Sequence, residues 1–541
     1  MPTHEVTNQP PPLLDYNPAD HPPLLEGLRA EGADWAEKEL RELGAVAGGE
    51  LAQEWGRLVE QHPPVLRTHD RYGHRIDEVE FHPHWHDLMR IAVEHGLHAA
   101  PWQQNRPGAH VSRAAKMYVW CHTDPGHLCP ISMTYAAIPP LRTRPDLAQR
   151  YEPLLASAAY DHRLREPGTK PGLIAGMSMT EKQGGSDVRA NTTRATPDGV
   201  GGYRITGHKW FTSAPMSDLF LTLAQAPGGL SCFLLPRVLP DGSRNRIHLQ
   251  RLKDKLGNRS NASAEIEYDD ATGWLLGEEG RGVATIIQMV NLTRLDCTVT
   301  SAALMRHAVA QATHHTEHRS AFEARLIDQP LMRNVLADLA VEAEAATVVG
   351  IRLAGAVDRA ASGDRAEDLF RRIALPVSKY WVCKRAPALA AEALECLGGN
   401  GYVEESGMPR LYREAPLNSI WEGSGNVAAL DALRAMARQP ESVEAFFAEV
   451  ALASGIDPRL DDAVGRLRKE LTDLDGAQFR ARRIVEAMAL VLQGSLLHRR
   501  APAAVADAFC ATRLGGDRGH AFGTLPSGTD TATILDRARP S

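Results

Sequence analysis

Hydrophobic periodicity changes twice along this chain, and those changes limit its fold more than any other feature. From Pro23 to about Ala175 apolar residues recur with helical spacing; between His84 and His95, Trp85, Leu88, Ile91 and Ala92 fall on one face. Near Gly176 the pattern becomes short runs rich in β-branched and aromatic residues: Tyr203–Ser213, Asp218–Leu223, Ser231–Leu235 and Ala262–Tyr268. Gly- and Pro-containing turns (PDGVGG, APGG, LPDGS) separate them, as in an antiparallel β-domain. After Gly282 helical spacing returns to about Ala437. Leu331, Val335, Leu339 and Ala343 form an apolar stripe, with Asp338, Glu342 and Arg352 expected on the polar side. Long Ala-rich helices of this kind form bundles, which often pair with copies of themselves.

The order predicts a mainly α protein with a central antiparallel β-domain. Expected divisions are an N-terminal arm and helical domain (1–175), a β-domain (176–278), a helical bundle (279–439) and an additional helical domain (440–541). At 541 residues the chain is too long for one core. The Pro-rich first 24 residues read as an extended arm, either wrapping a partner or without fixed structure. The Gly-, Ser- and Thr-rich tail after Gly515 reads as loose.

A net charge of −7 argues against general attraction to nucleic acid or anionic membrane, while allowing a local basic patch. Between Val464 and Arg500 eight basic residues stand against four acidic ones. Arg480, Arg482 and Arg483 are close enough in sequence to cluster there, with Arg434 just before the boundary. An ordinary solvated helical surface with ion pairs explains the same composition. Seven scattered cysteines suit a reducing compartment. The first residues do not read as a secretory signal, and no apolar stretch approaches the roughly 20 residues of a membrane span. A cytoplasmic location without membrane partners is expected.

Four segments could carry chemistry. Gly176–Asp187 (GMSMTEKQGGSD) combines glycines, which expose backbone amides, with the hydroxyls of Thr180 and Ser186. It would suit a ligand with a pyrophosphate and a hydrogen-bonding ring, although a plain turn gives the same letters. Trp210–Ser213 ends a strand with aromatics and hydroxyls that could cover a ring; half-buried strand residues read identically. In Ser419–Asn426 (SIWEGSGN), Glu422 lies beside an aromatic, as a general base or as a helix-cap carboxylate. Leu397–Tyr402 (LGGNGY) is either a cofactor contact or a glycine C-cap. The histidines of HPHWH (82–86) and the group Cys121, His122, His127 and Cys129 lack zinc-site spacing, so no metal is expected.

In order, these motifs resemble the acyl-CoA dehydrogenase family. MTEKQGGSDV resembles its T-E-P-x-x-G-S-D loop, GHKWFTS its G-x-K-x-W-I-T strand and CLGGNGY its L-G-G-x-G-Y turn. REAPLNSIWEGSGNV is similar to its I-Y-E-G-T segment. The resemblance implies FAD held between a helical domain and a β-domain, and a homotetramer. It places Met177, Met179 and Thr180 at the flavin ring and Gly185 and Ser186 near the pyrophosphate. Phe211 would cover the flavin, with Thr212 and Ser213 beside it; Gly398 and Ile420, Glu422, Gly423, Ser424 and Asn426 would complete the pocket. Arg319 and Phe322 would reach the FAD of a neighbouring subunit. Glu422 would be the catalytic base for an acyl-CoA α-proton, and Arg294 lies on the active-site helix. Lys182, Phe211, Ser213 and Glu395 depart from the family pattern. FAD binding should survive most of these changes, whereas efficient turnover of fatty acyl substrates is less secure.

GMSMTEKQGGSDVRANTTRA, LKDKLGNRSNAS and PRLYREAPLNSIWEGSGN, with the extra C-terminal domain, are similar to the branch associated with DNA alkylation stress. This implies weak activity on short or branched acyl-CoA of isovaleryl type. It also implies double-stranded DNA binding through Arg434, Arg480, Arg482 and Arg483. The alternative is an ordinary acyl-CoA dehydrogenase with no DNA role.

Overall fold

The computed structural model describes residues 3–104, 106–473 and 475–541. The chain forms two compact units: residues 1–53, 107–122 and 294–541 make one, and 54–106 and 123–293 the other.

The second unit contains the expected β-domain. Its strands are β3 (Ala175–Ser178), β4 (Arg194–Pro197), β5 (Tyr203–Ser213), β6 (Leu219–Ala226), β7 (Gly229–Pro236), β8 (Ile247–Leu252) and β9 (Ser263–Leu276), following a separate hairpin, β1 (Val65–His69) and β2 (Arg75–Glu80). The seven strands run in the order β3-β5-β4-β6-β7-β9-β8, and pairing of β5 with β9 closes them into a ring. Most pairs are antiparallel, as the turns predict, but β3 and β4 each pair parallel with β6. Alternation on β5 and β9 turns Ile205, Ala264, Ile266 and Tyr268 inward against Phe233, Leu235 and Leu249. Burying a side chain such as Phe233 contributes about 1.5–3 kcal/mol. The β1–β2 hairpin corrects the all-helical expectation for residues 23–175. Its alternation is weak because only Asp77 is buried along the two strands.

The first unit is helical. Gly282–His318, Pro330–Ala361 and Arg365–Glu395 are its long helices, and Gly282–His318 begins in the second unit. Residues 441–541 belong to the same unit, adding Glu441–Ala451, Pro458–Leu471, Ala477–Arg500, Ala503–Phe509 and Thr531–Ala538.

Four expectations are overturned in this unit. The polar side of Pro330–Ala361 is buried: Asp338, Glu342 and Arg352 are each at most 5% exposed. Arg513 pairs with Asp338 and Glu342, Arg385 with Glu342, and Arg352 with Glu367 and Glu449. The charges are tolerated inside because each meets an opposite charge. Leu331, placed on the apolar stripe, is instead 82% exposed.

The tail is ordered. Ile534 and Leu535 are buried, and Arg537 pairs with Glu26 and Glu344. The N-terminal arm lies along its own chain: Leu13 and Tyr16 pack on Ala310, and the Asp15 amide donates to the Gly48 carbonyl at 2.8 Å. All seven cysteines are buried, and none is in a disulfide.

Candidate functional site

In the β-domain, the segment from Met177 to Ser186 leaves β3 as an open loop. Ser178 is registered opposite Thr212 of β5, and their hydroxyls lie 2.5 Å apart. The loop is held from beneath by a buried ion pair between Lys209 and Glu181 at 2.9 Å. Lys209 Nζ also donates to the Leu223 carbonyl at 2.8 Å, and Glu181 accepts the Thr192 and Thr193 amides at 2.7 and 3.1 Å. Burial alone would raise the Glu181 carboxyl. The hydrogen bond and charge of Lys209, with donors from Thr192 and Thr193, more than reverse this, and it sits well below the usual carboxylate range.

Above this base the loop faces outward. The Trp210 amide donates to the Thr180 carbonyl at 2.8 Å, and Asn191 Nδ2 to that of Met179 at 3.0 Å. Thr180 is half-buried and Ser186 exposed, so both hydroxyls are open to a ligand. At Gly185 a Cβ would lie 2.5 Å from Thr180 Oγ1, so a larger residue would displace the Thr180 side chain. Phe211 is 48% exposed, while Met177 and Thr212 are buried; Ser213 Oγ is 3.4 Å from Ser263 Oγ. An exposed aromatic beside a glycine-rich loop with accessible hydroxyls fits one face of a flat, hydrogen-bonding cofactor.

In the helical unit, the turn Ile420–Ser424 precedes the helix Gly425–Arg438. Glu422 has φ 57° and Gly423 φ 99°. For glutamate this is a strained backbone, maintained only where the surroundings over-determine it. Lys379 donates to the Trp421 and Gly423 carbonyls at 2.8 and 2.5 Å. Arg294 Nε donates to the Glu422 carbonyl at 2.9 Å, and Arg294 Nη1 to Asp431 at 2.7 Å. Trp421 Nε1 donates to Asn418, whose Nδ2 reaches Thr300 and Ser301 at 3.1 and 3.0 Å. Three successive carbonyls are therefore bound by buried cations, fixing the direction of the half-buried Glu422 side chain. Arg294, expected among the catalytic residues, bonds the backbone of this turn. Burial would raise the Asp431 carboxyl, but Arg294 and Arg372 hold it below the usual range.

The remaining expected flavin residues lie on exposed turns of the helical unit. Phe322, 94% exposed, caps the hairpin Ser320–Ala321/Ala324–Arg325 with φ 51°. Arg319, just before it, donates to the Asn8 carbonyl. Gly398 has φ 59° with open space around it, beside the exposed Tyr402. Lys379 and Asp431 escaped sequence analysis because, on helical segments, they read as ordinary polar positions.

The expected DNA contacts divide. Arg480 and Arg483 both pair with Glu470, at 3.5 and 3.2 Å. Arg482 Nε instead donates to Asn426 Oδ1 at 2.8 Å, joining the C-terminal segment to the turn after Glu422. Arg434 lies 3.6 Å from Asp431 with its side chain 56% exposed.

Comparisons with known proteins agree with this architecture. Residues 8–162 match the adaptive response protein AidB N-terminal domain, 176–271 the acyl-CoA dehydrogenase middle domain and 280–437 the acyl-CoA dehydrogenase C-terminal domain. The chain is 46% identical to AidB of Escherichia coli (strain K12) over 515 residues, covering 95% of this chain and 94% of that protein. It is 33% identical over 407 residues to acyl-CoA dehydrogenase family member 11 of Caenorhabditis elegans, covering 72% and 65%. The crystal structure of Caenorhabditis elegans ACDH-11 in complex with C11-CoA matches with a TM-score of 0.85 at 28% identity, covering 95% of this chain and 93% of that one. With its barrel loop, its braced glutamate turn and these matches along nearly its whole length, the chain belongs to the acyl-CoA dehydrogenase family of FAD-dependent oxidoreductases, with an N-terminal domain of the AidB type.

Proposed function

We propose that the protein binds FAD and oxidises a short or branched acyl-CoA, with Glu422 as the base. The observation that carries this reading is the turn at Glu422, where Lys379 and Arg294 hold a strained backbone. Strain kept by buried cations, three residues before a helix, is wasteful for a plain cap and sensible for a carboxylate that must point one way. Met177, Met179, Thr180 and Phe211 would hold the flavin ring. Thr212 and Ser213 would stand beside it, and Gly185 and Ser186 would take the pyrophosphate. Within the helical unit, Gly398, Ile420, Gly423, Ser424 and Asn426 would contact FAD. Arg319 and Phe322, exposed on their hairpin, would serve a second copy within a homotetramer. Bound FAD supplies the acceptor for the hydride leaving the β-carbon. Glu422 takes the α-proton onto a carboxylate oxygen, work typically worth about 10²–10⁴ in rate.

Glu422→Gln tests the assignment. The variant should keep its yellow cofactor and lose bleaching of the flavin by isovaleryl-CoA, measured anaerobically in a stopped-flow spectrometer. Bleaching at the unmutated rate would remove Glu422 from the role.

A finer reading adds double-stranded DNA binding through residues 440–541 and a part in the response to DNA alkylation, in the cytoplasm. It is supported by the extensive similarity to AidB and by the exposed guanidiniums of Arg434 and Arg483. Glu470 offsets part of the charge of Arg480 and Arg483, so each contributes less than a free phosphate contact. Binding should weaken steeply with salt. A double Arg482→Ala, Arg483→Ala variant should reduce the salt dependence of affinity; an unchanged slope would move the DNA surface elsewhere.

A further inference from the structure

Away from the flavin residues, three side chains of different chemistry converge in the C-terminal segment. Asp457 caps the helix Pro458–Leu471, His498 stands in the last turn of Ala477–Arg500, and Cys510 opens the π-helical turn Cys510–Leu514. Cys510 Sγ lies 3.3 Å from His498 Nε2, and that nitrogen lies 3.4 Å from Asp457 Oδ2. All three ligand atoms fall within 4.8 Å of one another. Asp457 and Cys510 are buried and His498 is partly exposed.

One ring nitrogen cannot satisfy both neighbours with a single proton. As an acceptor it serves the thiol; as an N–H donor it serves the carboxylate. A cation drawing on all three sets of lone pairs meets them together. Tetrahedral zinc, with Zn–S near 2.3 Å and Zn–N or Zn–O near 2.0–2.1 Å, requires ligand-to-ligand edges of roughly 3.3–3.6 Å. The two separations here are of that length.

Charge points the same way. Arg459 is bonded to Asp457 through Nε at 3.0 Å and Nη2 at 2.6 Å, and to Asp507 at 2.6 Å. Two carboxylates, Asp457 and Asp507, thus share one guanidinium, an excess of negative charge that favours a nearby cation. A short π-helical turn is uncommon and is frequent at functional sites. We propose that Asp457, His498 and Cys510 bind zinc through three protein ligands, with a fourth position for water on the partly exposed His498 side. The set escapes sequence analysis because its ligands come from three separate elements rather than one spaced motif.

The test uses the full-length chain with its FAD, stripped by a chelator and dialysed against zinc, with metal content measured by mass spectrometry. One zinc per chain is expected, and cobalt in its place should give a thiolate-to-cobalt absorption band. Cys510→Ser should abolish that band, and both it and His498→Gln should weaken zinc binding by at least about tenfold. His498→Gln, at a partly exposed position, decides the matter if Cys510→Ser fails to fold. Absence of stoichiometric zinc or of the cobalt band in the unmutated chain overturns the proposal, as does uptake unchanged by the substitutions.

Discussion

Glu181 and Lys209 show how a single buried pair supports a glycine-rich loop. Both side chains are fully buried, and the pair lies beneath Met179 and Thr180. Replacing Glu181 by Gln leaves an ammonium without a counter-charge and should cost about 3–5 kcal/mol at neutral pH, measured by urea denaturation. Because the folded carboxyl lies below its ordinary value of 4.5, its contribution is present above that pH and fades as pH falls toward the folded value. The gap between variant and unmutated protein should therefore narrow below about pH 4.5; a gap constant to pH 3 would contradict the pair's role. The loop itself was readable in the sequence, since glycines and hydroxyls crowd into one short stretch. Its supports were not: Lys209 meets Glu181 across 28 positions, and Arg294 meets Asp431 across 137. Periodicity cannot report such contacts. For the same reason Arg294 could be matched to the active-site helix while its bond to the Glu422 carbonyl could not be foreseen. Asp431→Asn would weaken that hold. It should slow flavin reduction while FAD stays bound, in a comparison of reduction rate against flavin content.

At the scale of elements, Pro330–Ala361 is the instructive case. Its spacing announced a helix, but the polar stripe was assigned to water because exposure is the usual fate of Asp, Glu and Arg. Here those residues are paired inside. Burial would raise the Glu342 carboxyl, yet Arg385 and Arg513 bring it below the usual range. Glu342→Gln should destabilise by about 3–5 kcal/mol, because partly buried Arg385 loses its counter-charge and Arg513 is left with Asp338 alone. Leu331→Ala on the same helix should change stability by less than about 0.5 kcal/mol, given its exposure. Denaturant midpoints of the two variants test the contrast; similar losses would refute it. The β-domain was more legible, because alternation and Gly-Pro turns are local signals. Its parallel pairings were not, since pairing partners are not written in any single strand.

At the scale of the molecule, the last hundred residues are an integral part of the first unit. Arg513 and Arg537 from this segment neutralise Asp338, Glu342 and Glu344 of the bundle. Cutting the chain after Arg438 removes those guanidiniums and bares carboxylates together with apolar surface. The truncated protein should aggregate or melt well below the full chain in differential scanning calorimetry. Retention of the full melting temperature would show the bundle to be self-sufficient. A milder cut after Asp530 removes Ile534, Leu535 and Arg537, and should lower the transition without abolishing it.

Acids on the flank of one long helix thus carry a record of what lies downstream. A relative that ends near the bundle lacks the counterparts of Arg513 and Arg537, so Asp338 and Glu344 would be hydrated or replaced by neutral residues, while Glu342 could keep only a partner such as Arg385. Their character in an unfamiliar homologue would disclose, from the middle of a gene fragment alone, whether an appended tail of this kind once completed it.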